Sequence, residues 1–326
     1  MTILEVLIGL PASGKSTYAK ERENEGAVVL SSDRIRKEFN ITTYTNKDNE
    51  KVFSILHERL YEELSKEYNT VIYDATNLSK KRIATLQQIR NKFKDVFIKY
   101  VFFKADIPTC VARDFLRKEY VGFDVIVRLL KSFTGFYEDQ RLNLFDIFII
   151  KNNLDENIIT EEFKIAKNMK QNNVFHTNTV GKHINQVYKQ ISRKDSPNYM
   201  LDAAKYHDIG KIYTKIYKNA KGEDTKNAHF YRHEKVSSYI YLINNLDFKF
   251  FHSNEKIIEL YTQALIEKHM TDKVDCKKNK VLNSYFKEKH KLNFIDDLRL
   301  LNNCDKYRKW YQKIIIKVKK KLIGTK

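Results

Sequence analysis

The residues best suited to chemistry stand near the start of the chain, where positions 9–16 read GLPASGKS and match G-x-x-x-x-G-K-[ST] throughout. Glycines let such a loop turn and approach phosphate oxygens without a Cβ clash. Its amides and the start of the next helix form an anion nest. A chance glycine-rich loop is the alternative. The segment predicts a nucleoside triphosphate site with Mg²⁺, with Lys15 reaching the β- and γ-phosphates and Ser16 ligating the ion. The predicted binding residues are Gly9, Ala12, Ser13, Gly14, Lys15, Ser16 and Thr17.

Two charged residues follow the second predicted strand, Ala27–Leu30. Carboxyl ends of parallel strands border the crevice where ligands bind in open α/β sheets. Asp33 is therefore placed to take a proton from an attacking hydroxyl. Arg36, one helical turn later, offers a planar fork for an acceptor phosphate. A helix N-cap is the alternative for Asp33, and a solvated helix charge is the alternative for Arg36.

The third predicted strand ends in Asp-Ala-Thr-Asn at positions 74–77. Asp74 at the strand tip is placed to orient Mg²⁺ or its waters. Thr76 and Asn77 either shape the turn or touch the substrate. We expect this segment at the same edge of the sheet as the phosphate loop.

A pair of arginines, Arg113 and Arg117, lies at i,i+4 spacing further along the chain. Phosphoryl transfer needs cations over the migrating group, often brought by a closing segment. Two arginines on one helix face suit such a lid. Surface charge is the alternative.

Taken together, these motifs and the following FDVIVRLLK segment resemble phage-type polynucleotide 5′-kinases over residues 1–152. The resemblance implies that Asp33 is the general base on a 5′-hydroxyl and that Arg36 contacts the acceptor's neighbouring phosphate. It also implies that Arg117 acts on the γ-phosphate of ATP. The serines at 31 and 32 depart from the family pattern, which leaves RNA and DNA both open as acceptors.

Histidines and aspartates recur in order through the second half of the chain. Imidazole and carboxylate are the usual ligands of borderline divalent metals with open positions for water. Predicted helices that each project one ligand inward would build such a site. Any single histidine is more commonly structural, but the ordered set predicts a metal site. Its residues are His183, His207, Asp208, His233, His269 and Asp305.

This order, with His-Asp-Ile-Gly-Lys at 207–211, resembles the HD phosphohydrolase superfamily over roughly residues 173–310. The resemblance implies two groups of ligands. The first metal would be held by His183, His207, Asp208 and Asp305, and a second metal by His233 and His269. A divalent transition metal (Mn, Ni, Co, Zn or Fe) would lower the pKa of bound water and clamp a phosphate, whose charge Lys211 would neutralise.

The pattern of predicted elements divides the chain in two. Short apolar strands alternate with helices through the first 150 residues, which predicts an α/β fold with a parallel sheet covered on both faces. Beyond residue 155 only helical patterns follow, so we predict an all-α domain. The predicted boundaries are 1–152 for the kinase domain, 153–172 for a connecting segment and 173–326 for the helical domain. The predicted strands are Thr2–Ile8, Ala27–Leu30, Thr70–Tyr73, Val96–Phe103 and Phe145–Ile150.

Composition narrows the class of partner. Lysine and arginine number 60 against 41 acidic residues, a net charge of +19 that favours polyanions, although a lysine-rich coding bias gives the same excess. Three scattered cysteines argue against a disulfide framework and indicate a reducing cytoplasm, that of a host cell if the chain is phage-encoded. No apolar run reaches the roughly 18 residues of a membrane span, and no signal peptide is expected. Residues 306–326 are basic, with aromatic residues at 307, 310 and 311 that suit single-stranded nucleic acid or, equally, helix packing.

The two predicted activities would act together on the ends of a broken nucleic-acid strand. The hypothesis is a bifunctional end-healing enzyme that adds 5′-phosphate and removes 3′- or 2′,3′-cyclic phosphate from RNA or DNA, with a ligase as a candidate partner acting downstream. One alternative is a small-molecule kinase fused to a nucleotidase. Another is a nucleic-acid-binding ATPase whose helical lobe is a scaffold.

Overall fold

The computed structural model describes residues 2–66, 69–79, 95–135, 147–151, 155–173, 178–245, 254–271 and 273–306, with positions 82, 88, 89 and 91–93. The chain forms two compact units. The first comprises Met1–Thr134 and Gln140–Asp155, and the second comprises Gly135–Asp139 and Glu156–Lys326. Most of residues 80–94, and the basic tail from residue 307, lie outside the described residues.

The first unit contains a five-stranded, all-parallel sheet, which confirms the predicted α/β class. The strand order is β2-β3-β1-β4-β5. The strands are β1 Thr2–Ile8, β2 Val28–Ser31, β3 Thr70–Asp74, β4 Val96–Lys104 and β5 Ile147–Lys151. Because β1 is the central strand, the phosphate loop that follows it opens in the middle of the carboxyl edge.

Two helices of this unit begin at side-chain caps. A capping box between Thr45 and Asp48 starts α3, and the Asp106 carboxylate accepts the Thr109 amide at 2.7 Å where α4 starts. The helix α3 buries Val52, Leu56 and Leu60 at i+4 spacing on one face. The helices are α1 Lys15–Asn24, α2 Ser32–Glu38, α3 Asn46–Leu64, α4 Ile107–Phe115 and α5 Phe123–Lys131.

The second unit is mainly helical, as predicted. Its helices are α6 Glu156–Asn168, α7 Val180–Ser192, α8 Asn198–Tyr206, α9 Lys211–Thr214, α10 His233–Asn245, α11 Asn254–Lys268, α12 Lys277–His290 and α13 Phe294–Asp305. The predicted connecting segment is largely α6, whose Glu162 accepts a hydrogen bond from the Tyr213 hydroxyl at 2.6 Å. Tyr261 centres the packing, with its ring edge-to-face on Phe286 at 4.9 Å.

An antiparallel hairpin interrupts these helices, so the prediction of helices alone was wrong. It pairs β6 Ile216–Lys218 with β7 Asp224–His229. Ala228 is the one buried residue of either strand, so the hairpin lacks the apolar alternation that marks a strand in sequence. Among the described helices, none has the length and apolar character that a bilayer crossing requires.

Candidate phosphate and metal sites

The phosphate loop joins β1 to α1 through a tight turn. Gly14 adopts the left-handed conformation with φ 103° just before the helix begins. At Gly9 the constraint is space, because a Cβ there would lie 2.7 Å from the Ser13 Oγ and 3.1 Å from the Phe103 Cβ. Ala12 also has positive φ, at 59°. These constraints fix the loop as a tight turn between β1 and α1.

Lys15 lies inside this loop. Its buried ammonium donates to the carbonyl oxygens of Gly9 at 3.1 Å and Leu10 at 2.6 Å. Burial lowers the pKa of Lys15, an effect that the charges of Asp74 and other neighbours oppose. The cation and Asp74 are thus electrostatically coupled at the carboxyl edge of the sheet.

Asp74 ends β3 beside the end of β2. The two strands are in register so that Ser31 pairs with Asp74, and the Ser31 hydroxyl donates to its carboxylate at 3.2 Å. Burial raises the pKa of Asp74, and Lys15 opposes that rise. Ser31 is a site residue that sequence reasoning missed; the available signal was that both residues end neighbouring strands.

Asp33 is the second residue of α2 and is exposed. The N-cap of this helix is Ser31, so the alternative that Asp33 is the cap was wrong. Its charge acts on both Lys15 and Asp74. Asp33 is therefore an exposed carboxylate that is electrostatically coupled to the phosphate loop, and its action as a general base stays a prediction.

Arg36 is buried, so the alternative of a solvated charge was also wrong. Its Nη1 donates to the Thr43 carbonyl at 2.9 Å, and its Nη2 donates to the Asn49 side chain. The guanidinium also lies 4.2 Å from the Tyr44 ring centre. These contacts hold the segment before α3; binding of an acceptor phosphate by Arg36 stays a prediction.

The turn after β3 is built by Asn77. Its side-chain amide donates to the Leu7 carbonyl at 2.8 Å, and its backbone has φ 49°. The half-buried Thr76 accepts the Gly9 amide at 3.1 Å through its carbonyl. These contacts favour the turn-shaping interpretation, and substrate contact by either residue stays a prediction.

The arginine pair does not share one helix, because α4 ends at Phe115. Arg113 lies in the last turn, whereas Arg117 follows the helix in the loop 116–122. That loop is held by Asp114, a buried carboxylate that accepts the amides of Val121 at 3.0 Å and Gly122 at 2.8 Å. Arg117 lies 3.6 Å from the same carboxylate. Asp114 is a residue that sequence reasoning missed, and its role emerges only from the fold.

In the second unit, the structure brings together all six predicted metal ligands. They form two groups whose donor atoms lie within 4.8 Å of one another. The first group is His183, His207, Asp208 and Asp305, and the second is Asp208, His233 and His269.

Asp208 is common to both groups. Its Oδ2 lies 3.2 Å from His183 Nε2, and its Oδ1 lies 3.0 Å from His233 Nε2. His183 Nε2 also lies 2.7 Å from Asp305 Oδ1. A carboxylate shared in this way is suited to bridge two metal ions.

From the sequence we expected the ligands to lie on separate helices. The structure differs from this expectation. His207 and Asp208 lie in the turn that ends α8, and His269 directly follows α11. Three of the imidazoles are oriented by their own backbone. The Nδ1 atoms of His207, His233 and His269 donate to carbonyls three residues earlier at 2.7–2.8 Å. This fixes the tautomer so that each Nε2 faces the cluster as a lone-pair donor.

Electrostatics also suit metal ligation. Burial alone would raise the pKa of Asp208, but the charges of Lys211 and His207 outweigh the effect of burial and hold that pKa well below its usual range. Burial lowers the pKa of His269 to about 3, so this imidazole is neutral. Within the described residues, the buried Nε2 of His269 has no hydrogen-bond partner. An orphaned acceptor beside ionised carboxylates fits a divalent cation.

Lys211 is part of this centre. Its ammonium donates to Asp208 at 2.7 Å and to the buried Gln171 at 3.1 Å. It also lies 5.5 Å from the ring centre of Phe230. Neutralisation of a substrate phosphate by Lys211 stays a prediction, and Gln171 is a partner that sequence reasoning missed.

Comparisons with known proteins address the first unit. An AAA domain family model matches residues 4–138. This match, the parallel sheet and the phosphate loop identify the kind of domain. The first unit is a P-loop kinase-like domain. A gluconokinase from Sinorhizobium meliloti 1021 is 17% identical, with 45% of this chain and 81% of that chain covered at a TM-score of 0.33. No curated protein matches this chain. The P-loop kinase-like domain implies ATP and usually Mg²⁺, which supports a phosphotransferase.

Proposed function

We propose that this chain is a bifunctional nucleic-acid end-healing enzyme. Its first unit transfers the γ-phosphate of ATP to a 5′-hydroxyl end, and its second unit hydrolyses 3′- or 2′,3′-cyclic phosphate ends. The observation that carries the kinase half is the exposed Asp33 carboxylate, coupled to the buried Lys15 of the phosphate loop.

For phosphoryl transfer, the residues of the first unit would act in three roles: as a general base, as a phosphate-binding loop and as a lid. Asp33 takes the proton of the acceptor hydroxyl as its oxygen bonds to the γ-phosphorus, and the bond to the β-phosphate oxygen breaks to release ADP. Lys15 and the loop amides stabilise the charge on the phosphates. Ser16 and Asp74 would hold Mg²⁺ and its waters, and Arg113 and Arg117 would cover the migrating group.

For hydrolysis, the second unit offers oxygen and nitrogen ligands in two groups around Asp208. A divalent metal bound there would lower the pKa of water and clamp the phosphate. The three imidazoles with fixed tautomers hold the ligand atoms toward it without rearrangement. The strongly positive chain favours a polyanionic substrate for both halves.

A kinase for a small hydroxyl acceptor is the second candidate. It is favoured by Arg36, whose guanidinium is already bonded to Thr43 and Asn49 rather than presented to an acceptor phosphate. Competition between a nucleoside and a 5′-hydroxyl oligonucleotide separates the two candidates. The end-healing proposal expects preference for the polymer and a steep decline with salt.

The decisive experiment uses a single strand with 5′-hydroxyl and 3′-phosphate ends and reads both termini by mass spectrometry. Asp33→Ala should lower 5′-phosphorylation by about 10²- to 10⁴-fold, the usual contribution of a general base. Asp124→Ala is the matched control, because Asp124 is also exposed and is the second residue of α5. Full activity of Asp33→Ala would overturn the kinase assignment.

A further inference from the structure

An exposed aromatic pair stands where the hairpin leads into α10. The rings of His229 and Tyr231 are stacked, with centroids 5.3 Å and planes 6° apart. The Tyr231 hydroxyl lies 3.2 Å from His229 Nδ1, and Tyr231 is 37% exposed. Arg232 follows, exposed and in the left-handed region at φ 62°. Tyr231 and Arg232 thus face solvent in one short loop, and the half-buried His229 ring is stacked on Tyr231.

This loop adjoins the metal-ligand cluster. The Phe230 carbonyl accepts the Nδ1 proton of His233 at 2.7 Å and so orients that ligand. The Phe230 ring lies 5.5 Å from the ammonium of Lys211, which bonds to Asp208 at 2.7 Å. A molecule lying on Tyr231 and Arg232 would therefore reach the edge of the cluster.

The hairpin beneath the loop is anchored and basic. The Ala228 amide donates to the Asn172 carbonyl at 2.9 Å, and Lys215 donates to the Lys170 carbonyl at 2.6 Å. Residues 215–232 carry five basic and two acidic side chains. Three of the basic side chains, together with Arg232, are exposed: Lys218, Lys221 and Lys226.

We propose that the loop 229–232 and the hairpin form a stacking platform for single-stranded nucleic acid next to the phosphate that the metal cluster hydrolyses. This rests on the proposed phosphohydrolase function and names its substrate class. Aromatic faces stack on bases of any sequence, and arginine and lysine pair with the phosphates. Because His229 already holds the Tyr231 ring, little side-chain entropy is lost when a base stacks on it.

The test is binding of a fluorescent, 5′-phosphorylated single strand with a 3′-phosphate end to the full chain, measured by anisotropy with a metal chelator present. Tyr231→Ala should weaken affinity by about 5- to 150-fold, the range for loss of one base stack. Tyr231→Phe should bind like the unmodified chain. Arg232→Ala should lower the slope of log affinity against log salt by about one.

A matched control and a second readout keep the outcomes distinct. Tyr188 on α7 is 38% exposed, so Tyr188→Ala removes a comparable ring elsewhere in the unit and should leave affinity unchanged. With metal added, Tyr231→Ala should raise KM for the oligonucleotide but not for a 3′-mononucleotide. Unchanged binding by Tyr231→Ala, or equal weakening by Tyr188→Ala, would overturn the platform. Weakened binding without hydrolysis by any variant would instead overturn the hydrolase and leave the platform standing.

Discussion

The loop 116–122, which we propose as a lid, depends on one buried carboxylate. Asp114 is only 1% exposed and accepts two amides, from Val121 and Gly122, while Arg117 lies 3.6 Å from it. We expect Asp114→Asn to release this loop. The asparagine keeps the shape, but it loses the charge and presents an NH₂ group to one of the amide donors.

The magnitude follows from these contacts. A hydrogen bond to a charged group contributes about 1.5–3 kcal/mol. If one such bond is lost from the closed lid, kcat falls by about 10- to 150-fold, since about 1.36 kcal/mol corresponds to tenfold in rate. KM for ATP should change little, because the phosphate loop itself is untouched.

The assay is single-turnover phosphorylation of a 5′-hydroxyl oligonucleotide at saturating ATP, with thermal unfolding measured in parallel. Asp106→Asn is the matched control, because Asp106 is also buried but caps the opposite end of α4 by accepting the Thr109 amide. Equal losses of kcat in the two variants, or a lower melting temperature of Asp114→Asn with kcat retained, would show that Asp114 serves the fold and not the lid.

Three further outcomes are expected. Asp208→Asn should lower the metal content of purified protein, read by elemental analysis, because Asp208 belongs to both ligand groups, and it should spare 5′-phosphorylation of an oligonucleotide; undiminished metal content would show that Asp208 is not a ligand. Asn77→Ala should lower the free energy of unfolding by about 1–3 kcal/mol, because the Leu7 carbonyl loses its buried donor and alanine is strained at φ 49°; Asn77→Gly is the comparison that loses the same donor but accepts this φ without strain, and equal stability of the alanine variant and the unmodified chain would contradict this account. Burial raises the pKa of Asp297, although hydrogen bonds from Tyr261 and Tyr199 oppose the rise. The pKa of an aspartate in the unfolded chain is about 3.9, so ionisation of Asp297 lowers the stability of the fold as the pH rises above that value. Asp297→Asn should therefore gain more stability at pH 7 than at pH 4 in thermal unfolding, and a gain that is larger at pH 4 would reverse the sign of this argument.

Sequence reasoning located the strands of the first unit to within one or two residues. Strands buried on both faces are continuous apolar runs, and such runs are visible without a fold. Sequence reasoning did not predict the hairpin of β6 and β7, because its strands are polar. Its position depends instead on contacts with a distant segment, such as the Ala228 amide on the Asn172 carbonyl.

The metal ligands show the same division. Their residue types and order were evident from sequence, because imidazole and carboxylate side chains are the ones that bind such metals. That Asp208 is common to both groups, and that His207 and His269 lie just beyond helix ends, depended on how the helices pack.

By itself, the sequence determined the phosphate loop, the parallel sheet and the identity of the candidate ligands, because these depend on local spacing and hydrophobic pattern. Only the tertiary structure decided which polar and charged side chains form hydrogen bonds within the chain. Arg36 is bonded to its own chain, Asp114 holds the loop 116–122, and Ser31 bonds to Asp74. The reason is physical: a hydrogen bond or ion pair between residues distant in sequence exists only once packing has brought the two groups together and excluded water from them.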